Sequence, residues 1–445
     1  MKYGTIENPQ TGLAIPISGL KSSNSCGIGE FNDLIPMAKW CSECGMDLIQ
    51  ILPINDSGTN SSPYSALSAF ALNPIYLHLL DLEGIQPFAD EIRLFSEQVN
   101  QTDRTPYQRI YDFKWSLLQR LFENQKAKIS KKRSLTSWIK KNPWIKDYAV
   151  FRWLKETNGH KAWFHWENFS QVETDTVESL WETNKSELLF FAWIQWQLET
   201  QLNLVVKKLE KLNIKLKGDI PILINEDSAD VWAHPELFDS RFRAGAPPDM
   251  FAKFGQNWGF PCYNWEKLEA DDYQWWKDRL VQCNKFFHAI RIDHVLGFFR
   301  IWRIPASETQ GILGHFHPSV PISSQSIVEK LDDFTFQRLL HPHFTRDQLD
   351  SIFQPISYDW NFLVDEVNGF FRLKEEFCSE QKMKELAGTW KDLKRALLSL
   401  YWNRVLIWRP DLLHRPTWVW KISSFVEFFC RFLPKVSFVR LHFDG

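Results

Sequence analysis

The 445-residue chain carries 52 Lys plus Arg against 54 Asp plus Glu, a net charge of -2, which excludes a global field drawing it to nucleic acid or to an anionic membrane surface. That length fits one large barrel with insertions, or two to three ordinary domains, and can bury a large core. Aromatic residues make up 15% of the chain, with 22 Trp and 35 Phe; most must be core, but flat apolar side chains are also the usual platforms for sugar rings, so neutral substrates fit better than phosphates. The opening M-K-Y-G-T-I-E-N-P-Q lacks the apolar stretch of a secretory signal, and no run of about 18 uncharged apolar residues occurs. A soluble, cytoplasmic protein with no membrane span is expected.

In residues 31–44 the apolar positions fall at helical spacing and Gly45 follows as a stop, so a helix there feeds a buried strand across residues 46–54. Cys41 and Cys44 form a C-x-x-C, but zinc would need a second pair or nearby His, and they read as packing residues on the helix. The seven cysteines make no regular framework and point to a reducing compartment. Residues 85–185 are polar and helical without convincing strands, the pattern of a helical insertion. Their basic cluster, residues 126–133, is one short run on a near-neutral chain and reads as a solvated helix face, so no nucleic-acid partner is expected.

Residues 188–212 predict a long helix stopped at Asn213 and followed by a strand over 214–224. A third unit runs as a helix from Asp271 to Phe287 and a strand over 289–293. Helices alternating with short buried strands predict an α/β fold with a parallel sheet, and at this length a (β/α)8 TIM-type barrel with helical insertions. Residues 306–401 begin Pro-rich and are expected to continue as charged amphipathic helix around 365–386. His315 with His317, and His341 with His343, lie in Pro-containing loops without attendant carboxylates, so no metal is expected there. From Arg404 the chain turns basic, and Trp408, Trp418 and Trp420 crowd without periodicity.

Residues 288–305, H-A-I-R-I-D-H-V-L-G-F-F-R-I-W-R-I-P, carry the most chemistry, through Arg291, Asp293, His294, Gly297 and Trp302. In a strand Arg291 and Asp293 point the same way, and the guanidinium can hold the carboxylate ionised. Such a carboxylate suits a covalent glycosidase nucleophile. A structural Arg–Asp ion pair is the other reading, and these residues alone leave both open.

Three further segments join this one: S-S-P-Y-S-A-L-S-A-F-A-L-N-P at 61–74, K-G-D-I-P-I at 217–222, and G-A-P-P-D-M-F-A-K-F-G-Q-N-W-G-F-P-C-Y-N-W at 245–265. Together, in this order, they resemble the amylomaltase or 4-α-glucanotransferase family of α-amylase-like barrels, over about residues 13–305. The G-Q-N-W-G-F-P and H-V-L-G-F-F-R-I-W wording looks most like the plant cytosolic disproportionating-enzyme branch. The resemblance implies transfer of an α-1,4-glucan segment, or glucose, between malto-oligosaccharides, maltose or glycogen-type glucan by retaining double displacement, without a cofactor. It implies Asp293 as nucleophile, Arg291 as the arginine that keeps it ionised, and His294 as a sugar contact. Tyr64 stands where the family places an aromatic platform, and Asp219 matches the barrel-strand aspartate. Asp249, Asn257 and Trp258 fall in the family's mobile lid, with Trp258 between Gly255 and Gly259 suiting a hinged flap. The plainer readings are core packing for Tyr64 and Trp258 and a helix cap for Asp219.

A retaining site also needs a second carboxyl about 5 to 5.5 Å from the first. The family supplies it in a G-E-D-L-G-like segment, with a third acid in T-H-D, and neither segment occurs here. Glu226 and Glu308 are carboxylates already present, with nothing in the sequence to choose between them. The expectation is a barrel incomplete at its C-terminus: residues 1–84 begin it, 85–185 insert helices, 186–305 continue it with lid and nucleophile strand, 306–403 form a long, mostly helical insertion, and 404–445 are an atypical tail, read as a truncated or frame-shifted end. The competing readings are a catalytically incomplete glucan-binding remnant and an α-glucan hydrolase.

Overall fold

Helix α1 (Leu34–Glu43) buries Leu34, Ala38 and Cys41 along one face and ends where Gly45 takes φ +71, a backbone that needs no Cβ. It leads from strand β1 (Gly12–Ile15) into β2 (Leu48–Ile51), which pairs with β1 in parallel. The computed structural model describes residues 10–319, 322–323, 329, 332–404, 406–408 and 417–420.

Five helices follow: α2 (Ala89–Asn100), α3 (Tyr107–Ile129), α4 (Arg133–Lys141), α5 (Trp144–Thr157) and α6 (Thr174–Thr183). Helix α7 (Lys185–Lys211) has 27 residues, about 40 Å of axis, and buries apolar side chains from Leu188 to Leu209. It delivers the chain to β3 (Lys215–Ile220). Helices α8 (Ala229–Ala233), α9 (Trp265–Ala270) and α10 (Gln274–Cys283) then lead to the last parallel strand.

Strands β4 (Phe238–Ala246) and β5 (Gln256–Tyr263) interrupt that run, and β6 (Ala289–Ile292) completes a parallel sheet in the order β1-β2-β3-β6. Its strands are shorter than their apolar runs, since β2 stops before Pro53 and β3 before Pro221, where no N–H can extend the ladder. Gly218 on β3 has no side chain because the Phe287 ring occupies that space: a Cβ there would lie 2.4 Å from it.

The described residues divide into two compact units, Met1–Asp239 with Tyr263–Val295, and Ser240–Cys262 with Leu296–Gly445. The first holds the four parallel strands and the helices on them; a closed ring of eight is not formed among the described residues. The second contains a four-stranded sheet in the order β5-β4-β7-β8, with β7 (Ile301–Pro305) antiparallel to β4 and to β8 (His315–His317). A separate core around Leu349, Phe353, Leu363, Met383 and Leu397 lies in the same unit.

The amphipathic helix expected around residues 365–386 is not what forms. Val364–Val367 and Phe370–Leu373 pair as an antiparallel hairpin, and helix resumes only at Glu380–Ala387. Asn368 at φ +53 and Gly369 at φ +77 make a turn that matches strand twist, so V-D-E-V-N-G-F-F-R-L is a hairpin signal that outweighs the charge pattern. Of the expected tail, only Arg404, residues 406–408 and residues 417–420 lie within the described residues. Leu406–Trp408 and Thr417–Trp420 form an antiparallel pair. In the basic cluster, Lys128 and Lys132 both bond Glu83, whose carboxyl is pulled down to about 2 by those two partners, and Lys126 pairs with Glu123.

The loop after β2 is pinned by polar groups with no access to water. Asp56, 0% exposed, accepts from Arg152 and, at 2.7 Å, from the Tyr148 hydroxyl, both on α5, while the Gly58 N–H donates to its other oxygen. Arg152 also donates to the Tyr111 hydroxyl at 2.8 Å. At the far end of the loop, the buried Gln195 amide on α7 exchanges two 2.8 Å hydrogen bonds with the backbone of Leu72. Removing Arg152 would leave a buried carboxylate short of its countercharge. Arg152→Met is therefore expected to cost about 3–5 kcal/mol of stability in urea unfolding; a loss below about 1 kcal/mol would show that Asp56 does not depend on the pair.

Candidate active site

The site begins with register. On adjacent parallel strands Asp219 of β3 is paired with Arg291 of β6, so their side chains rise from one face of the sheet. Asp293 follows β6 directly, and its N–H donates to the Ile220 carbonyl at 2.9 Å. That bond carries the ladder one residue further and keeps Asp293 on the face of Arg291. Both carboxylates thus stand at the C-terminal ends of parallel strands, where loops rather than turns of helix cover the sheet.

Arg291 divides its fork between them. Nη1 donates to Asp219 Oδ2 at 2.6 Å and Nη2 to Asp293 Oδ1 at 2.5 Å. The Tyr64 hydroxyl, from the pinned loop after β2, donates to the same Asp219 Oδ2 at 2.9 Å. Exposure then separates the two acids: the Asp219 side chain is 0% exposed and that of Asp293 34%, with Arg291 at 40%. Burial raises the Asp219 carboxyl above its ordinary range, against the lowering pull of Tyr64 and Arg291. Its second oxygen, Oδ1, has no hydrogen-bond partner among the described residues. Burial, the hydrogen bond to Asp219 and both nearby carboxylates push the Tyr64 phenol up to about 12. Desolvation works against the charge of Arg291, but Asp219 and Asp293 outweigh it and raise its pKa.

The division of labour follows from this geometry. Asp219 is an internal anchor that orients a guanidinium and a phenol, and Asp293 is the carboxylate left open to solvent. His294 takes φ +48, a left-handed backbone uncommon for residues other than glycine, directly after it. Four of the expected site residues, Tyr64, Asp219, Arg291 and Asp293, are therefore brought into one hydrogen-bonded group.

The other three lie in the second unit. Residues 245–265 are a flap only in part: β4 and β5 form their ends, and residues 247–255 connect them. Asp249 Oδ1 accepts from the N–H groups of Phe251 and Ala252 at 2.9 and 2.6 Å, folding the loop tip and leaving Met250 and Phe251 88% and 87% exposed. Asn257 Nδ2 donates to the Glu308 carbonyl at 3.0 Å and its Oδ1 accepts from Gly259, while Trp258 Nε1 donates to Gln256. Gly255 at φ +67 and Gly259 at φ +76 flank that tryptophan. Glu308, one of the carboxylates considered for the second acid, is committed elsewhere. Its side chain accepts from Tyr401 Oη at 2.6 Å and from the Glu380 N–H at 3.2 Å, and burial raises its pKa. Among the described residues no group of three or more His, Cys, Asp and Glu is placed to hold a metal ion.

Paired carboxylates on one arginine at the C-terminal ends of parallel strands define a class, α/β proteins whose sheet edge carries an acid site. The family follows from comparison: residues 15–402 match the 4-alpha-glucanotransferase family model, and the chain belongs to that family. It is 35% identical over 427 residues to 4-alpha-glucanotransferase DPE2 of Oryza sativa subsp. japonica, covering 90% of this chain and 44% of the relative. It is also 35% identical over 299 residues to the 4-alpha-glucanotransferase of Chlamydia pneumoniae, covering 66% of this chain and 57% of that one. The chain thus spans about half the length of these curated relatives. Among solved structures, the amylomaltase of Streptococcus agalactiae in complex with acarbose aligns with a TM-score of 0.62 at 25% identity, over 73% of this chain and 68% of that one.

The anchoring role of Asp219 has a measurable signature. Its carboxyl is raised in the folded state, so ionising it opposes folding once the pH passes its ordinary value near 4. Removing the Tyr64 hydroxyl takes a donor from the ionised form. Tyr64→Phe is expected to destabilise by about 1–3 kcal/mol at pH 7 and by less at pH 3, where the carboxyl is protonated in both states. Urea melts at the two pH values that show equal losses would rule out a bond to the ionised group.

Proposed function

We propose that this chain carries the nucleophile half of a 4-alpha-glucanotransferase site, moving an α-1,4-glucan segment or a glucose from one malto-oligosaccharide to another. The observation that supports it most is the Arg291 fork, which places Asp293, half-exposed, beside a buried twin. In this reading Asp293 attacks the anomeric carbon as the glycosidic bond breaks, the leaving oxygen takes a proton from a second carboxyl, and the acceptor hydroxyl later displaces Asp293 and gives a proton back. Tyr64 is the aromatic platform and, with Arg291, fixes the acid pair. Asp249, Asn257, Trp258 and His294 are the sugar contacts this reading carries from the family resemblance.

Maltose and glycogen-type glucan are the donor and acceptor classes this reading carries. Family membership supports it, as does the acarbose held by the streptococcal amylomaltase. No described helix is long and apolar enough to cross a membrane. None of the six described cysteines forms a disulfide among the described residues, in keeping with the cytoplasmic setting this reading carries.

Incubation with maltotriose should give a ladder of shorter and longer oligosaccharides, and Asp293→Asn should abolish it. Glucose and maltose without longer products would replace transfer by hydrolysis, and an unchanged ladder in Asp293→Asn would remove Asp293 from the nucleophile's place.

A further inference from the structure

Outside the acid site, the first unit holds a cavity of about 440 Å³ that none of Tyr64, Asp219, Arg291 or Asp293 lines. Its volume is in the range of small-molecule sites. Phe70, Trp144 and Trp275 give it aromatic walls; Phe70 stacks on Trp144 at 5.9 Å and meets Trp275 edge-on at 6.0 Å.

The charges around it are already used. Lys146 pairs with Glu178 at 2.5 Å, Lys285 with Glu199 at 3.1 Å, and Asp147 with His234 at 3.2 Å. Asp230 accepts from the Ala69 N–H and the Trp275 indole. Of the remaining ionic groups, Lys141 and Asp278 are opposite in sign. An anion or cation entering would have to break one of these pairs, which favours a neutral ligand.

One polar group is left over. Trp144 on α5 lines the cavity, and its buried indole N–H has no hydrogen-bond partner among the described residues; Gln282 on α10, 6% exposed, lines the cavity as well. A buried donor without a partner costs about 1–3 kcal/mol, so a ligand supplying hydroxyls would recover that cost. Neutral, hydroxyl-bearing and flat-faced describes a pyranose ring.

We propose that this cavity is a second saccharide site, taking one or two glucosyl residues, with the Trp144 indole and the Gln282 amide bonding their hydroxyls and the aromatic walls covering their apolar faces. The choice of glucose units rests on the function proposed above. The site lies close to the acid cluster along the chain: Phe70 is six residues from Tyr64, so their Cα atoms are at most about 22 Å apart. A glucan chain held here would raise its own concentration near Asp293.

Calorimetric titration of maltotriose into the full chain carrying Asp293→Asn, where turnover is blocked, tests this. Two classes of site are expected. Adding Gln282→Leu should weaken one of them about tenfold, the equivalent of one lost hydrogen bond. Val281→Trp, at a residue 56% exposed on the cavity lining and harmless to the core, should close the same site. Adding Tyr64→Ala should weaken the other. If both cavity variants leave the isotherm unchanged, the second site is overturned while Tyr64-sensitive binding still supports the acid site. If only Tyr64-sensitive binding is missing, the cavity stands and the reading of the acid site falls; no binding of maltotriose at all would overturn both.

Discussion

The structure around the acid site depends on one guanidinium shared between two carboxylates. Two like charges on neighbouring strand ends would repel, and one of them is wholly buried. Arg291 makes that arrangement stable by giving each carboxylate a separate arm. A lysine could not reproduce it, because a single ammonium has no rigid fork to set two acids at a fixed spacing. The cost of burying Asp219 is offset by two donors on one oxygen, and that oxygen in turn fixes both Arg291 and Tyr64. Rigidity at the sheet's edge thus comes from polar groups, while the sheet's interior is held by Ile49, Ile51, Leu216 and Ile220.

A second polar cluster carries that rigidity outward. Tyr64 reaches Asp219 from a long loop, and a loop alone would give it no defined position. Asp56 and Leu72, near the two ends of that loop, are tied to α5 and α7 by Arg152, Tyr148 and Gln195. The helical layer therefore does more than cover the sheet: its buried side chains place a residue of the acid cluster.

The parts legible in the sequence were those governed by short-range rules. Helical spacing followed by Gly45 or Asn213 located α1 and α7, and the two-residue period of a strand set Arg291 and Asp293 on one side. Nothing local announced that Tyr64 and Asp219, 155 positions apart, would share a hydrogen bond; motif resemblance, not periodicity, singled them out. The hairpin at Val364–Val367 and Phe370–Leu373 was misread as helix because its charges masked the Asn368–Gly369 turn, a signal that was present. The commitment of Glu308 to Tyr401 and Glu380, and the unpartnered Trp144 indole N–H, depend on tertiary packing and leave no trace in pattern.

The pinned loop also bears on how this fold comes apart. Local unfolding begins where fewest apolar groups are buried, yet the segment bearing Tyr64 leans on α5 and α7, whose contacts belong to the main core. Those helices share one core with Ile49, Ile51 and Leu216 of the parallel strands, so freeing the phenol from Asp219 is tied to opening that core rather than to local fraying of the loop. The acid cluster therefore keeps its alignment as long as helices far from it in sequence stay packed on the sheet.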